Sequence, residues 1–352
     1  MNCRTSWMII LSLASFASRA IGGEPSIPAA VTLTNVDSPA ENNPEEPLAA
    51  TYSADQAKHF LDSSSLAWQK QRDCMTCHTN YLYLLARPAL GEDDEAHQTV
   101  RNYAEKLVTD RWQDQGPRWD AEVVMTAMVL AYNDRLTGGT LHPTTRTALD
   151  RMWTVQSEKG GVSWISCEWP PFESDDEFGA TMMALAVSVA PESYAETPVV
   201  QSGIEKLKRY LVETKMPTLH HRAMLLWADT HRPGWLTATE RDEVVSEIFS
   251  LQHEDGSWSI ATLGNWERED GSPQEVTKGD GYATGLAIVL ARASGISADD
   301  DRLKRGIAWL KSNQRASGRW FTRSLHKDSR HYITHAGSSL AVMALTACKA
   351  MD

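Results

Sequence analysis

Along this chain, stretches that are apolar on most sides alternate with stretches of similar length that are apolar on one side only. Counted at helical spacing, the first kind covers about Thr79 to Leu90, Ala121 to Asn133, Glu177 to Val189, Leu219 to Thr230, Gly281 to Ala293 and His335 to Ala347. The second kind, each with a charged face, covers about Asp55 to Gln69, His97 to Asp110, Pro143 to Val155, Val199 to Thr214, Ala238 to Leu251 and Asp299 to Ser312. A helix that is apolar all round must be buried all round, whereas a one-sided helix lies between core and water. Inner helices alternating with outer ones predict an all-α fold: six helical hairpins closed in a ring, an (α/α)6 toroid, as a single domain over residues 51–352.

A repeat marks the ends of several outer helices. "RGIAWLKSNQRASGRW" contains Gln314-x3-Gly318-x-Trp320, and "VVSEIFSLQHEDGSW" contains Gln252-x3-Gly256-x-Trp258. "LDRMWTVQSEKGGVSW" keeps Gln156 and Gly160 at that spacing but displaces the tryptophan to Trp164. The glycine can supply a left-handed helix end, the tryptophan can stack over the turn, and the glutamine can satisfy carbonyls left free at the terminus. Structural staples are therefore expected.

With the fuller Arg305-Gly306-x2-Trp309-Leu310 pattern in one copy, these repeats resemble the QW motifs of squalene-hopene cyclases and their terpenoid cyclase and protein prenyltransferase relatives. The resemblance covers about Asp55 to the C-terminus. It implies the toroid fold and, for activity, proton-initiated cyclisation of an apolar isoprenoid. Those cyclases use two barrels, and only one fits here.

The N-terminus bears on compartment. Arg4 opens a short positive region, Trp7 to Phe16 is an apolar run too short to span a bilayer as a mature helix, and small residues close it near Ala20. Residues 1–20 read as a cleaved signal peptide, which predicts an exported protein, periplasmic or extracellular. The Pro- and acid-rich residues 21–50 read as a flexible tether. The net charge of −12, more negative once Arg4 and Arg19 are removed, argues against nucleic acid and anionic membrane surfaces as partners. No further apolar run is long enough to span a membrane.

If inner helices alternate with antiparallel outer ones, all inner helices run the same way and their N-termini share one mouth. That topology gathers Cys74, Cys77, His78, Asp120, Glu173 to Glu177, His220, His221, Lys278, Asp280, His331 and His335. Part of this is helix capping, for which Asp120 and Asp280 are suited.

Within "WPPFESDDEFGAT", the acids Glu173, Asp175, Asp176 and Glu177 crowd one another, which can raise a carboxyl pKa toward neutrality. By resemblance, Glu173-Ser174-Asp175-Asp176 is similar to the D-x-D-D motif with which squalene-hopene cyclases protonate an alkene. This makes Asp175 or Asp176 the general acid, with Trp119, Trp169, Tyr282 and Trp227 as cation-stabilising faces. Asp120, His220, Asp280 and His335 complete the substrate-pocket set. An acidic, solvated helix start is the plain alternative.

"RDCMTCHTN" carries Cys74-Met-Thr-Cys77-His78. The spacing fits c-type haem attachment, with thioethers at Cys74 and Cys77 and His78 on the iron. It also fits zinc held by the two thiolates with His78, or with His335 or Asp280, and it fits a simple disulfide without cofactor. Export satisfies the compartment that covalent haem needs. The function classes left open are an isoprenoid cyclase, a c-type haem protein for redox or ligand binding, and a secreted polysaccharide lyase on a similar barrel.

Overall fold

The computed structural model describes residues 30–91, 95–167 and 169–352. The expected signal peptide, residues 1–20, lies outside the described residues. The α-helices are α1 (Ala54–Arg72), α2 (Leu82–Ala86), α3 (Glu95–Lys106), α4 (Trp112–Asp114), α5 (Asp120–Thr137), α6 (Pro143–Thr154) and α7 (Asp176–Val189). They continue as α8 (Pro198–Thr214), α9 (Leu219–His231), α10 (Ala238–Ser250), α11 (Gly281–Ala293), α12 (Asp301–Asn313) and α13 (Ile333–Ala347). Helix α2 is the middle of an irregular inner element that opens with a wide π-type turn, Cys77–Tyr81, and ends in a 3-10 turn, Arg87–Leu90.

Helices α2, α5, α7, α9, α11 and α13 each touch the next, and α13 returns to α2, so the inner ring closes. The outer helices α1, α3, α6, α8, α10 and α12 lie against that ring. The architecture is the expected α/α toroid. Local sequence starts these helices as elementary chemistry requires. Ser53, Asp175, Thr218 and Asp280 accept backbone N–H bonds as N-caps of α1, α7, α9 and α11, and Pro143 and Pro198 open α6 and α8 where no N–H is needed. Asp120 is the first residue of α5 rather than its cap, because Trp119 holds the cap position and makes no capping bond.

The glutamine repeats tie neighbouring outer helices together. Gln156 Nε2 donates to Gly160 O (2.9 Å) and to Gly203 O of α8 (3.0 Å); Gln252 Nε2 donates to Gly256 O (2.9 Å) and to Arg302 O of α12 (2.8 Å). Gln314 closes the ring: it donates to Gly318 O (3.1 Å) and Ser53 O (2.9 Å) and accepts from Ser53 N (2.7 Å). Trp258 and Trp320 donate their indole N–H to Ile248 O and Leu310 O, both at 2.7 Å. In the loosest copy Val162 stands at the corresponding position, and Trp164 bonds Phe172 O instead (2.7 Å).

Composition predicts a flexible tether over residues 21–50, but its described part, 30–50, lies against the barrel. Val31 and Val36 are buried, Leu48 bridges to Arg315, and Arg319 binds the carbonyls of Ala40 and Glu41 and the side chains of Asn42 and Glu46. The reason is one buried guanidinium: enough hydrogen-bond acceptors surround it to hold a segment that is otherwise polar and Pro-rich.

Candidate functional site

The inner-helix starts form one mouth, which divides into cavities above a filled core. The first is a recess of about 320 Å³ lined by Cys74, Cys77, His78, Trp119, Trp169 and Glu173, together with Trp68, Arg72, Arg118, Arg330 and Tyr332. Helix α1 ends at a left-handed Asp73, and the chain runs through Cys74, Met75 and an extended Thr76 into the π-type turn. That path buries Cys77 at the helix start and leaves Cys74 half-buried as the recess wall. All four described cysteines, Cys74, Cys77, Cys167 and Cys348, are free thiols. Burial and the nearby Glu173 carboxylate push the Cys77 thiol well above its ordinary value.

His78 stacks on Tyr332 (centroids 5.3 Å apart, 12° between planes) and meets Trp68 edge-on at 5.2 Å. Its Nδ1 is 3.0 Å from the Thr76 hydroxyl. Apolar surroundings lower its pKa to about 3, so the imidazole is neutral. His335 contacts the other side of Tyr332, with ring centroids 6.0 Å apart, but its two nitrogens already face Thr79 Oγ1 (2.9 Å) and Asn42 Nδ2 (3.2 Å). His335 lines an adjoining cavity of about 720 Å³ between the 38–44 segment and α1, with Trp68 and Tyr332 as shared walls.

Apart from these lies a groove of about 730 Å³ of mixed lining that includes Asp280, Lys278, Trp309, Phe321, Arg323 and His331. Asp280 is buried and accepts from Ala283 N (2.9 Å) and Ile260 N (2.6 Å), yet burial still raises its carboxyl to about 7. His78, His335 and Asp280 thus line three different cavities. Among the described residues no group of three or more His, Cys, Asp or Glu side chains is arranged to hold a metal ion.

The acidic run is split up. Glu173 faces the recess, and burial raises its pKa. Asp175 caps α7 by accepting from Phe178 N (2.8 Å) and lies 2.8 Å from His221 Nε2; these partners outweigh its partial burial and hold it below the usual carboxylate range. Asp176 is exposed and accepts from Trp164 N (2.7 Å), and Glu177 occupies the next helical position. The helix N–H of Phe178 and His221 thus stabilise the charge on Asp175, while burial, not repulsion within the run, raises Glu173.

Below the mouth, His220 shares a 2.9 Å hydrogen bond with Tyr282 and stacks on Phe178, and burial lowers it to about 3. The centre of the ring between Met125, Met182, Met224, Trp227, Phe172 and Tyr282 retains only about 10 Å³ of free space. A water molecule alone needs that much.

Topology read from sequence gathers Cys74, Cys77, His78 and Glu173 at one mouth, the resemblance adds Trp119 and Trp169 as aromatic faces, and the structure brings these six together on the recess. It missed Trp68, Tyr332, Arg72, Arg118 and Arg330, which belong to three separate segments. The signal available was their position immediately before or at the same helix starts.

No protein-family profile matches the chain, and no curated protein is similar to it in sequence. Solved structures do share its shape. An ent-copalyl diphosphate synthase from Streptomyces platensis is 14% identical with a TM-score of 0.52, over 77% of this chain and 50% of that one. This chain thus spans about half the length of that synthase. A type II terpene cyclase from Scytonema is 12% identical (TM-score 0.48; 78% and 89% covered), and a possible GH105-family member from Klebsiella pneumoniae is 13% identical (0.47; 76% and 80%). Likeness at this identity is a likeness of fold.

Proposed function

We propose that the chain is an exported c-type haem protein in which the toroid is a rigid scaffold for a redox group at its mouth. The observation that carries this reading is the convergence of both C-x-x-C thiols and His78 on one aromatic-walled recess with a cationic rim. Cys74 and Cys77 would hold the group by thioethers and His78 would ligate its iron; the group supplies one-electron chemistry. The recess and the adjoining cavity, about 320 and 720 Å³, share Trp68, Arg72, Arg330 and Tyr332 as walls, and both volumes fall within the roughly 300–1,000 Å³ of small-molecule sites. Thr76 Oγ1 lies 3.0 Å from His78 Nδ1 and 3.4 Å from Nε2; in the tautomer that donates Nδ1–H to it, Nε2 keeps the lone pair that a metal-binding histidine requires.

Cyclisation of an isoprenoid finds less support. It needs an apolar chamber beside a carboxyl that holds a proton; the ring centre is filled, Asp175 is held below the usual carboxylate range, and the carboxyls that burial raises, Glu173 and Asp280, line mouth cavities rather than the ring centre. The test is expression with haem-maturation machinery. Covalent haem that survives acid-acetone extraction, and that is lost in Cys74→Ala/Cys77→Ala, is expected. Colourless protein from that host, with free thiols or stoichiometric zinc at Cys74 and Cys77, overturns the proposal.

A further inference from the structure

The rim of the recess has a property that the C-x-x-C-H motif does not explain. The chain is acidic, with 46 Asp and Glu against 34 Lys and Arg. Several other mouth and barrel arginines are paired: Arg87 with Asp62, Arg111 with Glu122, Arg268 and Arg323 with Asp328, and Arg319 with Glu46. Arg72, Arg118 and Arg330 make no ion pair among the described residues, and they reach the same recess from the end of α1, the start of α5 and the segment before α13.

Neither carboxylate that lines the recess makes an ion pair with these cations: Glu122 accepts from Arg111 (2.7 Å) and from the Trp112 indole (2.8 Å), and burial raises the pKa of Glu173. Arg72, Arg118 and Arg330 are exposed, and three like charges around one cavity favour an anion placed between them. Arg72 alone has a local role, lying 5.7 Å over the Trp68 ring.

Trp119 is the second observation. It is 56% exposed, and it occupies the N-cap of α5, where a side chain with an acceptor oxygen would stabilise the helix and an indole does not. A large exposed ring placed against local preference, on the wall of a cavity, marks a surface built for a flat partner.

Resting on the haem reading, we infer that Arg118 and Arg330, supported by Arg72, bind the two carboxylates of the porphyrin, with Trp119 lying along the macrocycle. The ligand class is thus a planar dianion, and the arginines decide its orientation. Charge-assisted hydrogen bonds of this kind should tighten binding of the dianion roughly tenfold or more.

Haemin and haemin dimethyl ester, titrated into full-length Cys74→Ala/Cys77→Ala protein, isolate the carboxylates from the thioethers. At least tenfold tighter binding of haemin is expected, and Arg118→Gln/Arg330→Gln in that background should abolish the preference. Arg118→Lys/Arg330→Lys should restore part of it, and far-UV circular dichroism identifies any variant that has lost its fold. The reduction potential of matured holoprotein should also fall in the glutamine variant, since removing positive charge favours the oxidised form. Equal affinity for haemin and ester, or a preference that survives Arg118→Gln/Arg330→Gln, overturns the rim assignment while leaving the attachment reading intact. Wild-type protein that acquires no haem in the maturing host overturns both.

Discussion

Asp280 and His220 start adjacent inner helices, and burial moves them in opposite directions on the pH axis. The Asp280 carboxyl is raised to about 7, so the folded chain holds its proton more tightly than the unfolded chain does. Its contribution to stability is full below about pH 4 and is lost as pH rises through 7, a swing of at most about 4 kcal/mol. His220, lowered to about 3, resists protonation when folded, so its contribution is full above about 6.5 and is lost as pH falls toward 3. Asp280→Asn, which retains a capping oxygen, should flatten the decline between pH 4 and 7, and His220→Gln should flatten the acid side. Urea midpoints measured from pH 4 to 8 decide both; unchanged slopes would contradict them. Neither value was legible in the sequence, because each depends on what other elements place around the group. Asp280 as a cap was legible, since "GD" before an apolar helix is a local signal. The acid run misled for the converse reason: its spacing invited mutual repulsion, while the acceptor role of Asp175 came from Phe178 N and a histidine 46 positions away.

At the level of elements, the repeats read from sequence act as joints between outer helices. A Cβ on Gly318 would meet Gln56 O at 2.1 Å, and its φ of +93° is one that L residues rarely adopt. Gly318→Ala should therefore cost more than about 2 kcal/mol. Gln314→Ala leaves the Ser53 N–H without its partner and removes one of the two donors to the Ser53 carbonyl, which keeps Ala57 N, and should cost about 1–3 kcal/mol. Chemical denaturation of the two variants checks these figures, and a loss below 0.5 kcal/mol in both would remove the staple role. The regular hairpins were legible because apolar period and turn chemistry agree. The first inner helix was legible as buried but not as irregular. Its π-type turn follows from the Cys77–His78–Thr79 path against α1 and α13, where Asn80 donates to Ser65 O (2.9 Å) and Thr79 meets His335, and these contacts are long-range. The 30–50 segment was misread because its composition disfavours self-packing, although Arg319 supplies the packing from elsewhere.

For the whole molecule, the outline is shared with an ent-copalyl diphosphate synthase, while the ring centre between Met125, Met182, Met224 and Trp227 is filled. Squalene should accordingly produce no thermal shift and no uptake. Met182→Ala should open a buried void and lower stability by about 2–5 kcal/mol, and calorimetry with and without hydrocarbon would show whether the void then takes it up. Arg319→Gln should free the 40–46 segment, giving proteolytic cuts there that the wild type resists. The seam itself has a temporal meaning. Ser53 meets Gln314 across 261 positions of chain, and Asn42 meets His335 across 293, so neither contact can form before nearly the whole polypeptide is in hand. Contacts of such separation form late, after local hairpins are established. During that interval the recess lacks the wall supplied by Tyr332 and Arg330, and the pair Cys74 and Cys77 stands open to solvent. Pulse-labelled hydrogen exchange would record that delay as late protection of the Ser53 and Ala49 amides.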